Sequence, residues 1–249
     1  MLYKLLVLDV DGTIIPYGMS ALPSFRVTEA IKKAGEKLTI CLATGRPYFL
    51  LTKIFDHLNL SGFAIINDGA QLIDIQTRKL YYERVMDPEI VSHICRIIHR
   101  AGIPFYIHDN GKDLLYTPDY IPNRPYNILT LQEHEEEKID KLVTLISYLP
   151  SIKINKTHGA ENHGLLISHA SATKLHGIYE VSRILRIKKE EIIGIGDSGN
   201  DFPLLMASGL KVAMGNAIED LKEIADHVAP SVEEDGVAHV IEKFILNSS

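Results

Sequence analysis

Four clusters in this 249-residue chain combine carboxylates, hydroxyls, glycines and a lysine: Asp9-Val10-Asp11-Gly12-Thr13, Thr44-Gly45-Arg46, Lys174, and Gly196-Asp197-Ser198-Gly199-Asn200-Asp201. Brought together, Asp9, Asp11, Asp197 and Asp201 would repel and raise one another's pKa. A hard divalent cation removes that conflict, and ligation by carboxylates and water suits Mg²⁺. Lys174 would add a second positive charge, and Thr13 and Thr44 would add hydroxyl donors. Gly12, Gly45 and Gly199 would let backbone N–H groups approach a ligand. Such a set holds a small anion with several oxygens, and phosphate is the natural candidate. A carboxylate can attack phosphorus to form an aspartyl-phosphate. A second carboxyl can protonate the leaving oxygen and then deprotonate water. Phosphoryl transfer of this kind depends mostly on positioning and charge neutralisation, which Mg²⁺ and Lys174 would supply.

The elements that must position these residues read from apolar periodicity. Leu5 to Leu8 is an apolar run stopping at Asp9, as expected of a buried parallel strand. A loop or flap with Pro16, Gly18 and Pro23 follows, then a helix with Val27, Ala30, Ile31 and Ala34 on one face, ending near Gly35. Leu38 to Ala43 is a second strand, ending at Thr44-Gly45-Arg46-Pro47; Pro47 suits the first turn of a helix running to about Leu58. Phe63 to Ile66 is a third strand, and this alternation implies a parallel sheet covered by helices. After the turn Asn67-Asp68-Gly69 the pattern changes. Residues 71–85 alternate like a hairpin with Gln76-Thr77 near its tip, and 88–101 read as a helix. Residues 103–131 hold short strand-like pieces, 133–148 a helix, and Ile152 to Thr157 and Leu165 to Ile167 strands. The first pattern then returns: a helix over 172–186, a strand from Ile192 to Ile195 stopping at Gly196-Asp197, and helices from Phe202, Ile218 and Gly236, with Lys211-Val212-Ala213 between the first two. The expected fold is α/β, a doubly wound parallel Rossmann-like sheet core (residues 1–82 and 169–249) interrupted by an inserted α+β cap of roughly 85 residues (83–168), an ordinary module size. In open α/β sheets ligands bind outside the carboxyl ends of the strands, and three of the four clusters end strands.

The chain resembles the haloacid dehalogenase-like superfamily and, within it, the Cof-type sugar-phosphatase branch. Asp9-Val10-Asp11-Gly12-Thr13 matches the first family motif, Ala43-Thr44-Gly45-Arg46 is similar to the second, and Gly196-Asp197-Ser198-Gly199-Asn200-Asp201 matches the fourth. Lys174 stands 23 residues before Asp197, similar to the third-to-fourth spacing, and Glu234-Asp235-Gly236-Val237-Ala238 resembles the run before the last helix. The resemblance implies Asp9 as nucleophile and Asp11 as general acid/base. It implies Mg²⁺ on the Asp9 side chain, the Asp11 backbone carbonyl and the Asp197 side chain. Thr44, Gly45 and Lys174 are implied as the phosphate site, with Asn200 supporting the phosphate and Asp201 the metal. It also implies a cap between the second and third motifs that closes over the site and selects the leaving group. The chain departs from the pattern at Lys174-Leu175, where the branch often has Lys-Gly and Gly177 comes later, and at Asp68-Gly69-Ala70, where Asn-Gly-Ala is usual. The cap is shorter than in many relatives.

Other readings carry less. A calcium loop at Asp9 fails, because Asp9 follows a buried strand and Ser20 stands where that loop needs Glu. His158, His163 and His169 match no standard metal-ligand spacing. Tyr106, His108, Asp109, Asn155, Lys156 and His163 of the cap read as surface or packing residues before specificity contacts. The run Glu133 to Lys138 reads as a solvated helix face. With a net charge of −6 and no basic stretch, the chain lacks the footprint of a nucleic-acid binder. No apolar run approaches the roughly 20 residues of a membrane span, and the N-terminus has no signal pattern. Cys41 and Cys95 read as reduced core residues, so a cytoplasmic enzyme is expected, acting on a small phosphorylated metabolite. The alternatives are a phosphomutase or phosphotransferase using the same aspartyl-phosphate, which free-phosphate release distinguishes, and a non-catalytic metal- or phosphate-binding protein, against which the Asp9/Asp11 pair argues. A dehalogenase would leave Asp11 no oxygen to protonate.

Overall fold

Leu5–Leu8, apolar at every position, forms strand β1, and the computed structural model buries all four side chains completely. The structure describes residues 2–18, 21–130, 136–158 and 163–247. From β1 the chain passes through helix α1 (Phe25–Gly35), strand β2 (Thr39–Ala43), helix α2 (Thr52–Leu58) and strand β3 (Gly62–Ile66). The Ser24 hydroxyl caps α1 by accepting from the Val27 N–H at 3.1 Å, and Val27, Ala30, Ile31 and Ala34 form its buried face. Pro47 does not open α2, contrary to the sequence reading. It sits extended (ψ 162°) before a single tight turn, Tyr48–Leu50, and α2 begins at Thr52. Arg46, as the residue before a proline, is steered out of helical geometry. Its N–H donates to Thr44 Oγ1 and its carbonyl accepts from the Asn67 N–H, which keeps this stretch open.

Strands β4 (Gln71–Asp74) and β5 (Leu80–Glu83) form the expected hairpin. The inserted stretch carries helix α3 (Pro88–Arg100), strands β6 (Phe105–Asp109), β7 (Lys112–Leu115) and β8 (Pro125–Thr130), helix α4 (Glu136–Ile146) and strands β9 (Ile152–His158) and β10 (His163–His169). Residues 131–135, the start of the expected helix over 133–148 and of the run Glu133 to Lys138, lie outside the described residues. The chain continues with helix α5 (Lys174–Leu185), strand β11 (Ile192–Gly196), helix α6 (Phe202–Met206), strand β12 (Leu210–Ala213), helix α7 (Glu219–Glu223), strand β13 (His227–Val228) and helix α8 (Gly236–Ile241).

Contacts divide the chain into two compact units, Met1–Glu83 with Thr173–Ser249, and Arg84–Ala172. Among the described residues, the first unit has one eight-stranded sheet in the order β13-β12-β11-β1-β2-β3-β4-β5. It is parallel from β13 to β3, and the β4–β5 hairpin extends its edge antiparallel. Helix α1 packs with α2 and α8, and α5 with α6, which supplies the two covering layers that a strand apolar on both faces needs. Helix α5 approaches β3 closely: a Cβ on Gly177 would lie 2.6 Å from Ile65 Cγ2, so only glycine permits this packing.

The second unit is a five-stranded antiparallel sheet among the described residues, ordered β7-β6-β8-β10-β9, with α3 and α4 packed together. Its core includes Val91, Ile94, Ile98, Phe105, Ile107, Ile128, Leu142 and Ile167. Asp87 caps α3 by accepting from the Glu89 and Ile90 N–H groups, ahead of Pro88. Several cap residues have structural partners. Asp109 is buried and clamps the following loop, accepting from Tyr120 Oη and from the Asn123 and Arg124 N–H groups. His108 is buried with Nδ1 2.7 Å from Asp113, and Lys156 reaches Asp140 at 2.5 Å. Tyr106 is partly exposed and Asn155 half-buried; the His163 side chain lies outside the described ones. Cys41 and Cys95 are free and buried in separate hydrophobic clusters; burial pushes the Cys95 thiol up to about 12 and the Cys41 thiol further. Among the described residues no helix is long and apolar enough to cross a membrane.

Candidate active site

Strand register brings the first and fourth clusters together. Leu8 pairs with Ile195 on β11 and with Leu42 on β2, so the residues that follow these three parallel strands emerge side by side. Asp9 N–H donates to the Ile195 carbonyl at 3.0 Å, and Thr44 N–H to the Ile65 carbonyl at 2.9 Å. Asp9, Asp197 and Asp201 are buried, and each offers one carboxylate oxygen within 4.8 Å of the others. Lys174, the first residue of α5, is completely buried between two of them. Its Nζ donates to Asp9 Oδ1 and to Asp201 Oδ1, both at 2.5 Å. A cation at a helix N-terminus meets the unfavourable end of the helix dipole; the two carboxylates offset that.

Asp201 braces the motif loop, its Oδ2 accepting from the Asp197 and Ser198 N–H groups at 3.0 Å each. Asp197 accepts from Thr13 Oγ1 at 2.9 Å and from Tyr17 Oη at 2.5 Å. Asp9 has its second oxygen without a hydrogen-bond partner among the described residues. Burial raises the Asp9 pKa well above the usual carboxylate range, and Asp201 and Asp197 add to the rise while Lys174 opposes it. Burial likewise pushes Asp197 up to about 6, against the hydroxyl of Tyr17 and with the nearby Asp201. Burial works against charge on Lys174 too, yet Asp201 and Asp9 hold its pKa above the ordinary lysine value. Three buried carboxylates against one buried ammonium leave excess negative charge. A divalent cation is the simplest balance, so the donor set fits Mg²⁺.

The other expected residues divide. Thr44 is buried and its Oγ1 accepts from the Arg46 N–H at 3.1 Å; Gly45 borders open space, with nothing within 4 Å of where a Cβ would stand. Asp11 is not in the carboxylate cluster. Its side chain, 28% exposed, is held by the Arg46 guanidinium. Asn200 is exposed, and its Oδ1 accepts from Ser198 Oγ at 2.7 Å, a hydroxyl that also lies 3.4 Å from Asp201 Oδ2. Three partners were not assigned from sequence: Arg46, Tyr17, and Asn216, whose Nδ2 donates to the Gly12 carbonyl at 2.8 Å. Arg46 stands inside the second cluster, so its position was a signal; Tyr17 and Asn216 had none.

Gly12 is required at its turn. Its φ is +79°, and a Cβ would fall 2.3 Å from Asp197 Oδ2. Gly12→Ala should therefore cost about 1–3 kcal/mol of backbone strain and displace Asp197 as well. Thermal unfolding with a Mg²⁺ titration should show a lower midpoint and weakened metal response; an unchanged Mg²⁺ response would contradict this placement of Asp197.

A family model of haloacid dehalogenase-like hydrolases matches residues 6–141 and 116–241. The chain belongs to this family, in its Cof-type branch. Among its relatives, YxeH of Bacillus subtilis (strain 168) is 26% identical over 98% of this chain and 99% of that protein. The 5-amino-6-(5-phospho-D-ribitylamino)uracil phosphatase YcsE of the same organism is 24% identical over 98% and 96%. A solved haloacid dehalogenase-like hydrolase from Bacteroides thetaiotaomicron superposes with a TM-score of 0.84 at 24% identity, covering 97% of this chain and 99% of that one.

Proposed function

We propose that this chain is a Mg²⁺-dependent phosphatase that hydrolyses a small phosphomonoester, of the sugar-phosphate class, through an aspartyl-phosphate on Asp9. It is a phosphoric monoester hydrolase. YcsE is named for a substituted ribityl phosphate, and a polyhydroxylated phosphomonoester of similar size is the substrate class proposed here. The observation carrying this reading is the Asp9 carboxylate: buried, one oxygen on Lys174, the other unpartnered among the described residues, beside Asp197.

The Asp9 carboxylate attacks phosphorus, forming an O–P bond as the bond to the leaving oxygen breaks. Asp11 gives that oxygen a proton, and the alcohol departs. Asp11, now a carboxylate, takes a proton from water as the water attacks phosphorus. The Asp9–phosphorus bond breaks, releasing inorganic phosphate and restoring both carboxyl groups. Lys174 keeps Asp9 oriented, while the Thr44 hydroxyl and Gly45 N–H bind phosphoryl oxygens. Mg²⁺, held by the Asp9 and Asp197 side chains and the Asp11 backbone carbonyl with Asp201 in support, would neutralise charge on the phosphoryl group.

The test is inorganic phosphate release from a sugar-phosphate panel, with Mg²⁺ and with EDTA. Release that EDTA abolishes is expected. Transfer to a second sugar without free phosphate would indicate a phosphotransferase instead. Metal binding should also release protons. With Asp197 at about 6 and Asp9 also raised, each ligand proton displaced should weaken apparent Mg²⁺ affinity about tenfold per pH unit, so the fall below that value is at least about tenfold per unit, measurable by calorimetry. Metal-free protein shows the opposite linkage. The stability that protonated Asp197 contributes is fully present below its ordinary value of 3.8 and is lost as pH rises through about 6.

A further inference from the structure

We infer that Arg46 is a positioning residue that sets the Asp11 carboxyl for proton transfer and ties it to the flap over Gly12–Gly18. This rests on the phosphatase reading above. The guanidinium is nearly buried and bonds the carboxylate in a two-pronged fork, Nε to Asp11 Oδ2 at 2.8 Å and Nη2 to Asp11 Oδ1 at 2.5 Å. The same Nη2 donates to the Gly18 carbonyl at 2.8 Å. A planar fork of this kind fixes orientation as well as distance. Without it, Asp11 would be a partly exposed carboxylate on a turn, with no side-chain partner to fix its rotamer. With it, the carboxyl stays out of the Asp9/Asp197/Asp201 cluster, where a group serving the leaving oxygen belongs.

The fork does not block the chemistry. Each carboxylate oxygen has two lone-pair positions, and Arg46 takes one on each. The remaining positions accept and return the proton. Arg46 is itself placed from both sides: its N–H is fixed on Thr44 Oγ1 at 3.1 Å, and its carbonyl accepts from the Asn67 N–H at 3.0 Å. The second cluster thus places the acid of the first, besides contributing Thr44 and Gly45.

The experiment is a leaving-group series combined with a double-mutant cycle. Phosphorylation of the enzyme is followed in single turnovers with 2,4-dinitrophenyl phosphate, whose leaving oxygen needs no proton, and with an alkyl phosphate, which needs one. Arg46→Gln should slow the alkyl ester by about 10²-fold, the lower end of general acid catalysis, and barely change the dinitrophenyl ester. Arg46→Lys, which keeps the charge and loses the fork, should recover only part. In an Asp11→Asn background, Arg46→Gln should cost nothing further. An equal loss on both esters, or a full additive loss in the Asp11→Asn background, would overturn the inference and indicate direct phosphate binding or a structural role. Dinitrophenyl ester turnover that survives Asp9→Asn would instead refute the phosphatase mechanism itself.

Discussion

Asp9→Asn should lose turnover by about 10⁵-fold or more, the scale seen when a covalent enzyme is deprived of its nucleophile. Asparagine keeps the shape of the side chain, and its Oδ1 still accepts from Lys174, so the surroundings are preserved. What disappears is the anionic oxygen that, in the proposed mechanism, forms the bond to phosphorus. The check is phosphate release together with acid-stable phosphoprotein formation, both of which should fall to background. Undiminished turnover in a pure Asp9→Asn preparation would refute Asp9 as nucleophile.

The same substitution should stabilise the metal-free protein. Asp9 is buried with its pKa raised by burial and by Asp201, so its ionised form works against the fold at neutral pH. Removing that charge should raise the unfolding midpoint in EDTA by roughly 2–4 °C for each kcal/mol relieved. The increment gained on adding Mg²⁺ should shrink, because one of the proposed ligands has lost its charge. Activity and stability thus move in opposite directions at one residue, as expected where charge is concentrated for function.

The parallel centre of the sheet is legible in the sequence because burial on both faces leaves uninterrupted apolar runs, as at Leu5–Leu8 and Ile192–Gly196. Their ends are legible too, since Asp9 and Asp197 interrupt those runs abruptly. Contacts that cross from unpatterned loops are not. Tyr17 reaches Asp197 across 180 positions and Asn216 reaches Gly12 across 204, and no periodicity encodes either. Asn200 shows the converse: a motif names the residue, but a local bond to Ser198 decides where its side chain goes. Pro47 fits two roles by type, helix opener or loop residue, and the bond from Asn67 to the Arg46 carbonyl selects the second.

Lys174→Met should produce the largest loss of stability. Methionine fills much of the buried stem's space but supplies no donor. Asp201 Oδ1 and Asp9 Oδ1 would then face each other with no cation between them. Removing one partner of a buried charge network costs about 3–5 kcal/mol, because the remaining charge is left unpaired. Denaturant unfolding in EDTA should show this drop at neutral pH. The deficit should narrow as pH is lowered, since a carboxylate that binds a proton no longer needs the ammonium. Mg²⁺ should restore part of the stability through Asp9 and Asp197, yet not the activity, because Asp9 would have lost the group that orients it. Adding Asp201→Asn to Lys174→Met separates pairing from packing. If the ammonium matters for charge balance, the double variant is more stable than Lys174→Met alone. If Lys174 acts only by filling space, the two losses add.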